Sequence, residues 1–170
     1  SVHLKKGGSS IRSDQPFFRS DTVFPKPYRI PKAMSCIYDE KYVKQWDKNT
    51  KENTFIGVNG SKSYGFLYSS SKKILTFNSR DFYEKAFMFH ANGKMYKYSC
   101  SVKDSEELKP VPEKTIRGIT IYSCGIMQRR ESDGKVLLTV INQLDMKMAI
   151  PTFLKEQFLP SAVKTWYKDI

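Results

Sequence analysis

The residue types that most often carry catalysis or bind metal are few and isolated in this sequence. Cys36, Cys100 and Cys124 lie far apart without a C-x-x-C pair, and the two histidines, His3 and His90, each stand alone. An odd, scattered set of cysteines argues against a disulfide framework and against a zinc site. We also find no paired carboxylates, no nucleophile beside a base and no glycine-rich phosphate loop. The sequence therefore predicts no catalytic residue, no metal and no cofactor.

One short, highly charged segment contains a large aromatic residue, Trp46. The segment follows Asp39 and Glu40, whose acidic groups favour the start of a helix because they lie near the positive end of its dipole. On such a helix Tyr42 or Val43 shares a face with Trp46, while the lysines point elsewhere. We therefore expect a short helix whose tryptophan is an anchoring core residue, with a place on the floor of a cavity as the alternative.

The charge of the chain is strongly positive, +12, from 29 Lys plus Arg against 17 Asp plus Glu in 170 residues. Such a field favours nucleic acid, an anionic membrane surface or acidic protein as partner. The lysines are scattered, however, which fits a solvated basic surface equally well. No apolar run approaches the roughly 18–20 residues of a transmembrane helix. Residues 1–10 have no signal-peptide pattern, and because the sequence can begin partway through a longer protein, the compartment stays open.

The middle of the chain has the pattern of an antiparallel meander. Between its turns the residues alternate with a period of two, as where Tyr96 and Tyr98 alternate with Lys97 and Ser99. We expect the aromatic residues of these strands to face the core. Three dipeptides are typical of hairpin turns, because both central residues of a type I′ turn need positive φ: Asn59-Gly60, Asn92-Gly93 and Asp133-Gly134.

The two ends of the chain have helical patterns instead. Residues 27–46 predict two short helices, and the C-terminal residues predict a long helix with one broad apolar stripe, kinked at Pro160. The stripe includes Leu154, Phe158, Ala162 and Trp166. The sequence thus predicts a single α+β domain over 1–170, in which a curved antiparallel sheet wraps around the C-terminal helix and leaves a cavity between them.

Four segments in this order resemble a START domain, the lipid-transfer version of the helix-grip fold. The segments are YVKQWDKN (42–49), NSRDF (78–82), ESDGK (131–135) and AIPTFL (149–154). The resemblance covers essentially the whole chain, except that the first helix and first strand of the family are missing, so that the domain is expected to be truncated at its N-terminus. It implies a non-enzymatic carrier that holds one lipid in its cavity as cargo.

The resemblance is closest to the phosphatidylcholine and related phospholipid carriers, but their head-group residues are not all retained. In those carriers an arginine at the position of Val43 pairs with the aspartate, here Asp47, and meets the lipid phosphate. The positions of the choline cage are Ser69, Phe82 and Gly125, of which only Phe82 offers a ring to a cation. The resemblance therefore implies a broad range of head groups. The residues that it places at the cavity are Val43, Trp46, Asp47, Tyr68, Ser69, Phe82 and Gly125.

The resemblance also implies moving parts. Residues 69–78 correspond to a mobile loop that closes the cavity, and their mixture of basic and apolar side chains suits transient contact with an anionic bilayer. This lid loop contains Lys72, Lys73, Ile74, Leu75 and Phe77. Leu154, Phe158, Ala162 and Trp166 then form the roof of the cavity, on a helix that acts as its gate.

Two other classes of function remain open. A helix-grip enzyme would act on a hydrophobic substrate through titratable groups that converge in the cavity. A nucleic-acid-binding domain, the less favoured alternative, would need a basic stripe interleaved with exposed aromatic residues. We expect phospholipids as partners, a monomer, and no nucleic acid.

Overall fold

A single β-sheet makes up most of the structure. The computed structural model describes the backbone of residues 2–5 and all atoms of residues 15, 17–73, 78–102 and 109–148. Two helices, α1 (Ile30–Tyr38) and α2 (Glu40–Trp46), separate the second strand from the third. The strands of this sheet are β1 (Val2–Lys5), β2 (Phe17–Val23), β3 (Thr50–Gly57), β4 (Tyr64–Ser71), β5 (Ser79–Ala91), β6 (Lys94–Ser101), β7 (Thr115–Arg117), β8 (Ile119–Arg129) and β9 (Val136–Asp145).

The strand order confirms the predicted fold class. The sheet runs β1-β2-β9-β8-β6-β5-β4-β3, and every pairing along this path is antiparallel. The short strand β7 is the exception, because it pairs with the start of β5 in parallel. The sheet is curved, and the fold is α+β. The predicted C-terminal helix lies outside the described residues.

The three hairpin turns agree with the turn type predicted from the sequence to different degrees. Asn92 and Gly93 have φ values of 50° and 70° and join Ala91 to Lys94 directly, as a two-residue turn requires. Asn59 and Gly60 also have positive φ, but they belong to a longer connection that contains a 3-10 turn, Val58–Gly60. In the third turn Gly134 has positive φ and Asp133 does not. The positions of all three turns are thus predicted correctly, and the turn type only for 92–93.

The core lies between α1 and the inner face of the sheet. Pro31 occupies the first turn of α1, where a missing N–H costs nothing, and Ala33, Met34 and Ile37 form its buried stripe. Asp39 caps α2 by accepting a hydrogen bond from the Lys41 backbone N–H at 3.0 Å. The buried core consists of Phe18, Phe24, Ala33, Met34, Ile37, Met127, Val136, Leu138 and Val140.

Most of the aromatic residues of the strands lie on the outer face of the sheet, which corrects the expectation that they face the core. Phe18 and Phe82, on the inner face, are exceptions. On β6 the side chain of Tyr98 is exposed, whereas Lys97 and Ser99 point inward and are buried. The alternation with a period of two is therefore as predicted, but the aromatic residues of β6 face outward and its polar residues face inward. Ring contacts cross the outer face from strand to strand, with centroid distances of 5.0–6.3 Å. This aromatic ladder consists of Tyr64, Phe87, Phe89, Tyr96, Tyr98, Tyr122 and Phe17.

Candidate functional site

A cavity of about 260 Å³ lies on the inner face of the sheet, beside the C-terminal end of α1, Val43 of α2 and Asp47, which follows α2. Its polar lining comes largely from the central strands, which present their inward-pointing side chains to it. The apolar lining residues are Ile37, Val43, Leu67, Phe82, Val140 and Leu144. The charged and amide lining residues are Asp47, Asn53, Arg80, Glu84, Lys97 and Asn142.

A buried ion pair lies in the wall of this cavity. The Lys97 ammonium is 3.6 Å from the Glu84 carboxylate, and their side chains are only 5% and 9% exposed. Lys97 also donates to the Ser99 hydroxyl at 2.9 Å, and the Thr120 hydroxyl donates to the other oxygen of Glu84. Burial lowers the pKa of Lys97, and the nearby Glu84 carboxylate opposes that shift. The pair therefore puts two charges where an apolar wall would otherwise be.

Next to this pair the cavity contains an unsatisfied acceptor. The Asn142 side-chain oxygen is buried and accepts no hydrogen bond within the part of the chain that the structure describes. A buried acceptor without a donor costs about 1–3 kcal/mol. A hydroxyl or amide of a ligand in the cavity can supply the donor that Asn142 lacks.

Arg80 lines the cavity on the same strand as Glu84, and backbone groups hold it in place. Its Nε donates to the Met146 carbonyl at 3.2 Å, and a terminal nitrogen donates to the Asn78 carbonyl. The Ser71 hydroxyl accepts from the Arg80 backbone N–H at 3.1 Å. Arg80 thus connects the residues on both sides of 74–77 to the end of β9. This agrees with a structural role for Arg80 at the start of β5.

Four of the seven predicted cavity residues line this cavity. They are Val43, Asp47, Ser69 and Phe82. The Asp47 carboxylate accepts hydrogen bonds from the Asn49 backbone N–H at 2.9 Å and from the Thr50 hydroxyl at 2.7 Å. These two bonds hold Asp47 to the chain that follows α2.

The other three predicted residues lie elsewhere. Trp46 is half-buried against the core, and its indole N–H donates to the Cys36 carbonyl at 2.8 Å, which joins α2 to α1. Tyr68 points to the outer face, where the Lys109 ammonium lies 3.6 Å from its ring centroid. Gly125 is buried on the inner face beneath the hydroxyl of Tyr38.

The predicted moving parts are described only in part. Ser69, Ser70 and Ser71, the first residues of the predicted loop 69–78, belong to strand β4 instead. Lys72 and Lys73 follow β4 directly and are exposed. Ile74, Leu75 and Phe77 lie outside the described residues. So do all four residues of the predicted gate helix: Leu154, Phe158, Ala162 and Trp166.

The polar centre of the cavity was not predicted. Sequence reasoning assigned the inward-pointing polar residues of β6 to the mixed face and missed Glu84, Lys97 and Asn142. The lysine between two tyrosines at 96–98 shows that the strand alternates, but it does not show which residue points inward. In the structure Lys97 points inward and Tyr98 outward.

The described residues contain no cluster of side chains that could hold a metal ion. Within the same residues, no helix has both the length and the apolar composition needed to span a membrane.

The curved sheet with a cavity on its inner face defines a binding domain of the helix-grip class. The START domain model matches residues 13–168, and the chain belongs to this family. START domains bind lipids, and the predicted resemblance is thereby confirmed at the level of the family.

Solved structures show the same fold at low sequence identity. Human STARD10 aligns with a TM-score of 0.74 and 16% identity, over 99% of this chain and 72% of that one. Human StAR-related lipid transfer protein 5 aligns with a TM-score of 0.79 and 14% identity, over 99% and 78%. A STAR-related lipid transfer protein from Xanthomonas axonopodis aligns with a TM-score of 0.69 and 13% identity, over 99% and 87%. No curated protein matches the sequence.

Proposed function

We propose that this domain is a non-enzymatic carrier that takes a single phospholipid from one membrane and delivers it to another. The names of two similar structures, StAR-related lipid transfer protein 5 and its Xanthomonas counterpart, agree with transfer. The observation on which the proposal rests is the cavity itself. Apolar side chains contribute to its lining, and the buried Asn142 oxygen accepts no hydrogen bond from the residues that the structure describes.

The physical basis of carriage is the burial of acyl chains. Removing apolar surface from water stabilises the complex by about 0.8 kcal/mol per CH₂ group. A lipid also brings a polar end, which has to be matched inside the protein. Asn142, the Glu84–Lys97 pair and the serine hydroxyls of β4 provide polar atoms for it.

The proposed range of head groups is broad. Val43 lies in the cavity near Asp47, whose carboxylate is bonded to Asn49 and Thr50. No cationic side chain stands at position 43 to bind a lipid phosphate there. Phe82 is the one ring among the three positions that correspond to a choline cage. These features do not favour one head group strongly.

An enzyme is the second candidate, and the Glu84–Lys97 pair is the observation that favours it. Two titratable groups do converge in the cavity, and the pKa of Lys97 is lowered. However, each group is already matched, Glu84 by Thr120 and Lys97 by Ser99. The hydroxyls that match them, those of Ser99 and Thr120, are themselves buried and serve as hydrogen-bond partners of the pair, so that we favour carriage.

Two measurements test the proposal. Native mass spectrometry of the purified protein should reveal one bound phospholipid per chain, released unchanged. In liposome assays, labelled phosphatidylcholine, phosphatidylethanolamine, phosphatidylserine and phosphatidylinositol should be transferred at similar rates. A choline preference above about a hundredfold, or ~2.7 kcal/mol, would contradict the broad range of head groups. Chemical conversion of the bound lipid would favour the enzyme instead.

A single substitution tests whether Asn142 binds the lipid. Asn142→Leu removes the unsatisfied acceptor, so that the free energy of unfolding should fall little or rise. The affinity for phosphatidylethanolamine, whose ammonium can donate to the Asn142 oxygen, should fall by roughly 1–3 kcal/mol, whereas the affinity for phosphatidylcholine, which has no N–H or O–H group, should change little. Asn49→Leu, at an exposed position outside the cavity, is the matched control. Unchanged affinity for phosphatidylethanolamine in Asn142→Leu would remove Asn142 from the binding site.

A further inference from the structure

Two cavities lie side by side within the fold, and Tyr38 stands between them. The second one has a volume of about 490 Å³ and lies between α1, β3 and the turn that follows β3. Tyr38 and Asn53 line both cavities. We propose that Tyr38 is a partition, that the second cavity is a binding site for the far end of an apolar chain, and that this partition sets the longest chain that the protein accepts. This inference rests on the proposed function.

The position of Tyr38 is well defined. As the last residue of α1, it has its backbone carbonyl bonded to the Asn53 side-chain amide at 2.9 Å. Its ring centroid is 4.9 Å from the Lys97 ammonium, a cation–π contact. A methyl group at Gly125 would lie 2.7 Å from the Tyr38 hydroxyl. The absence of a side chain at 125 is thus what leaves room for the tyrosine.

The second cavity has the chemistry of a chain-binding site. Met34, Phe55 and Met88 supply apolar walls. The polar lining residues are Ser35, Asp39, Glu40, Asn53, Thr54 and Lys62, of which Asp39 and Lys62 are exposed. The Thr54 hydroxyl donates to the Glu40 carboxylate at 3.3 Å, so that these two side chains are bonded to each other. A methylene chain needs no hydrogen bonds and fits such walls. Methionine side chains in particular adapt to ligands of different shape.

The volumes of the two cavities also support a binding site that extends into both. The first cavity, at about 260 Å³, is smaller than the roughly 300–1,000 Å³ of most ligand sites. Joined to the second cavity, at about 490 Å³, it falls well within that range. Among the described lining residues Tyr38 and Asn53 are common to both cavities, and Tyr38 has the larger side chain, so that we expect a change in its position to join them.

Tyr38→Ala opens the partition, and a series of saturated lysophosphatidylcholines that differ only in chain length is the probe. In the unmodified protein, affinity should rise with chain length up to a limit and then stop rising. In Tyr38→Ala the limit should move to longer chains, with about a fourfold gain for each added CH₂, equivalent to ~0.8 kcal/mol. Tyr42→Ala is the matched control, because Tyr42 is a half-buried tyrosine on α2 that lines neither cavity. An unchanged limit in Tyr38→Ala would overturn the partition.

A second pair of variants tests the same contact from the opposite side. Gly125→Ala should displace the Tyr38 hydroxyl and change the chain-length limit. Combining Gly125→Ala with Tyr38→Phe should restore the original limit, because the closest remaining ring atom lies 3.9 Å from the added methyl. Failure of the double variant to restore it would contradict the inference.

Failure of the proposed function has a different signature from failure of the partition. If the unmodified protein binds neither a diacyl phospholipid nor a lysophosphatidylcholine of any length, the carrier proposal fails. A crystal structure of Tyr38→Ala then still tests the partition. Two cavities that remain separate in that structure would overturn it, and one continuous cavity would support it.

Discussion

Arg117 and Asp81 lie opposite each other in the parallel register of β7 and β5 and form a two-point ion pair. Two guanidinium nitrogens donate to the two carboxylate oxygens at 2.8 and 2.7 Å, and the Asp81 side chain is completely buried. Arg117 also donates to the Lys109 carbonyl at 2.9 Å. The pair thus fixes the short strand β7 alongside the start of β5, one residue after Arg80.

Removing Arg117 should therefore destabilise the domain strongly. Arg117→Ala leaves the buried Asp81 carboxylate without its cation, and loss of one partner of a buried pair costs about 3–5 kcal/mol. Urea unfolding measures the change in the free energy of unfolding. Arg130→Ala is the control, since the Arg130–Asp133 pair lies on an exposed turn and its loss should change stability little. Equal effects in the two variants would show that burial of Asp81 is unimportant.

The Glu84–Lys97 pair should behave as a unit. Glu84→Gln or Lys97→Met alone leaves one buried charge uncompensated and should cost about 3–5 kcal/mol. The double variant removes both charges and should cost less than either single variant. A double-mutant cycle measured by urea unfolding gives the coupling. Additive losses would show that the two side chains do not compensate each other.

The same pair should give the stability a dependence on alkaline pH. Burial lowers the pKa of Lys97 in the folded protein. The Lys97 amine therefore binds its proton more tightly in the unfolded chain than in the folded protein. The contribution of Lys97 to stability should therefore rise with pH, from its folded pKa up to the ordinary value of about 10.4. Unfolding curves across this range, compared with those of Lys97→Met, isolate the effect. A difference between the two proteins that does not change with pH would contradict the lowered pKa.

Trp46 should act through stability, because it joins α2 to α1. Trp46→Ala removes a large half-buried side chain and should cost roughly 3 kcal/mol, at the lower end for such truncations. Trp46→Phe keeps a ring and loses the bond to the Cys36 carbonyl, at about 0.5–1.5 kcal/mol. Thermal unfolding and lipid binding are measured together. Lost binding with unchanged stability would assign Trp46 to the cavity.

Lys72 and Lys73 should speed docking onto anionic membranes, as the proposed function requires. Both are exposed at the end of β4, and each lysine near an anionic surface contributes about 1 kcal/mol. Replacing both by glutamate should slow transfer from anionic vesicles but not from neutral ones, and added salt should have the same effect on the unmodified protein. The control changes Lys48 and Lys51, which are also exposed. Equal rates on both kinds of vesicle would remove this role.

The fold could be predicted from the sequence because its signals are local. The turn at Asn92-Gly93 depends on two residues that accept positive φ, and the start of α2 depends on the capping side chain of Asp39. Which residues of a strand face inward could not be predicted in this way. Tyr98 and Lys97 alternate in the same way whichever of them points inward, and only the packing of α1 on one side of the sheet decides.

The site could be predicted only where a family motif marks it. Val43, Asp47 and Phe82 belong to recognisable segments and do line the cavity. Glu84, Lys97 and Asn142 come together from three different strands, and nothing in their local sequence indicates that they meet. The partition at Tyr38 depends on an empty space at Gly125, which is a property of the assembled fold.

The aromatic ladder on the outer face has a consequence for how this protein can evolve. Its ring contacts join β2, β4, β5, β6 and β8 on the side of the sheet that the cavity does not touch. Much of the cohesion between these strands is therefore independent of the residues that line the cavity. Substitutions inside can alter which cargo is bound while the ladder keeps the strands together, so that new ligand ranges can arise on an unchanged framework.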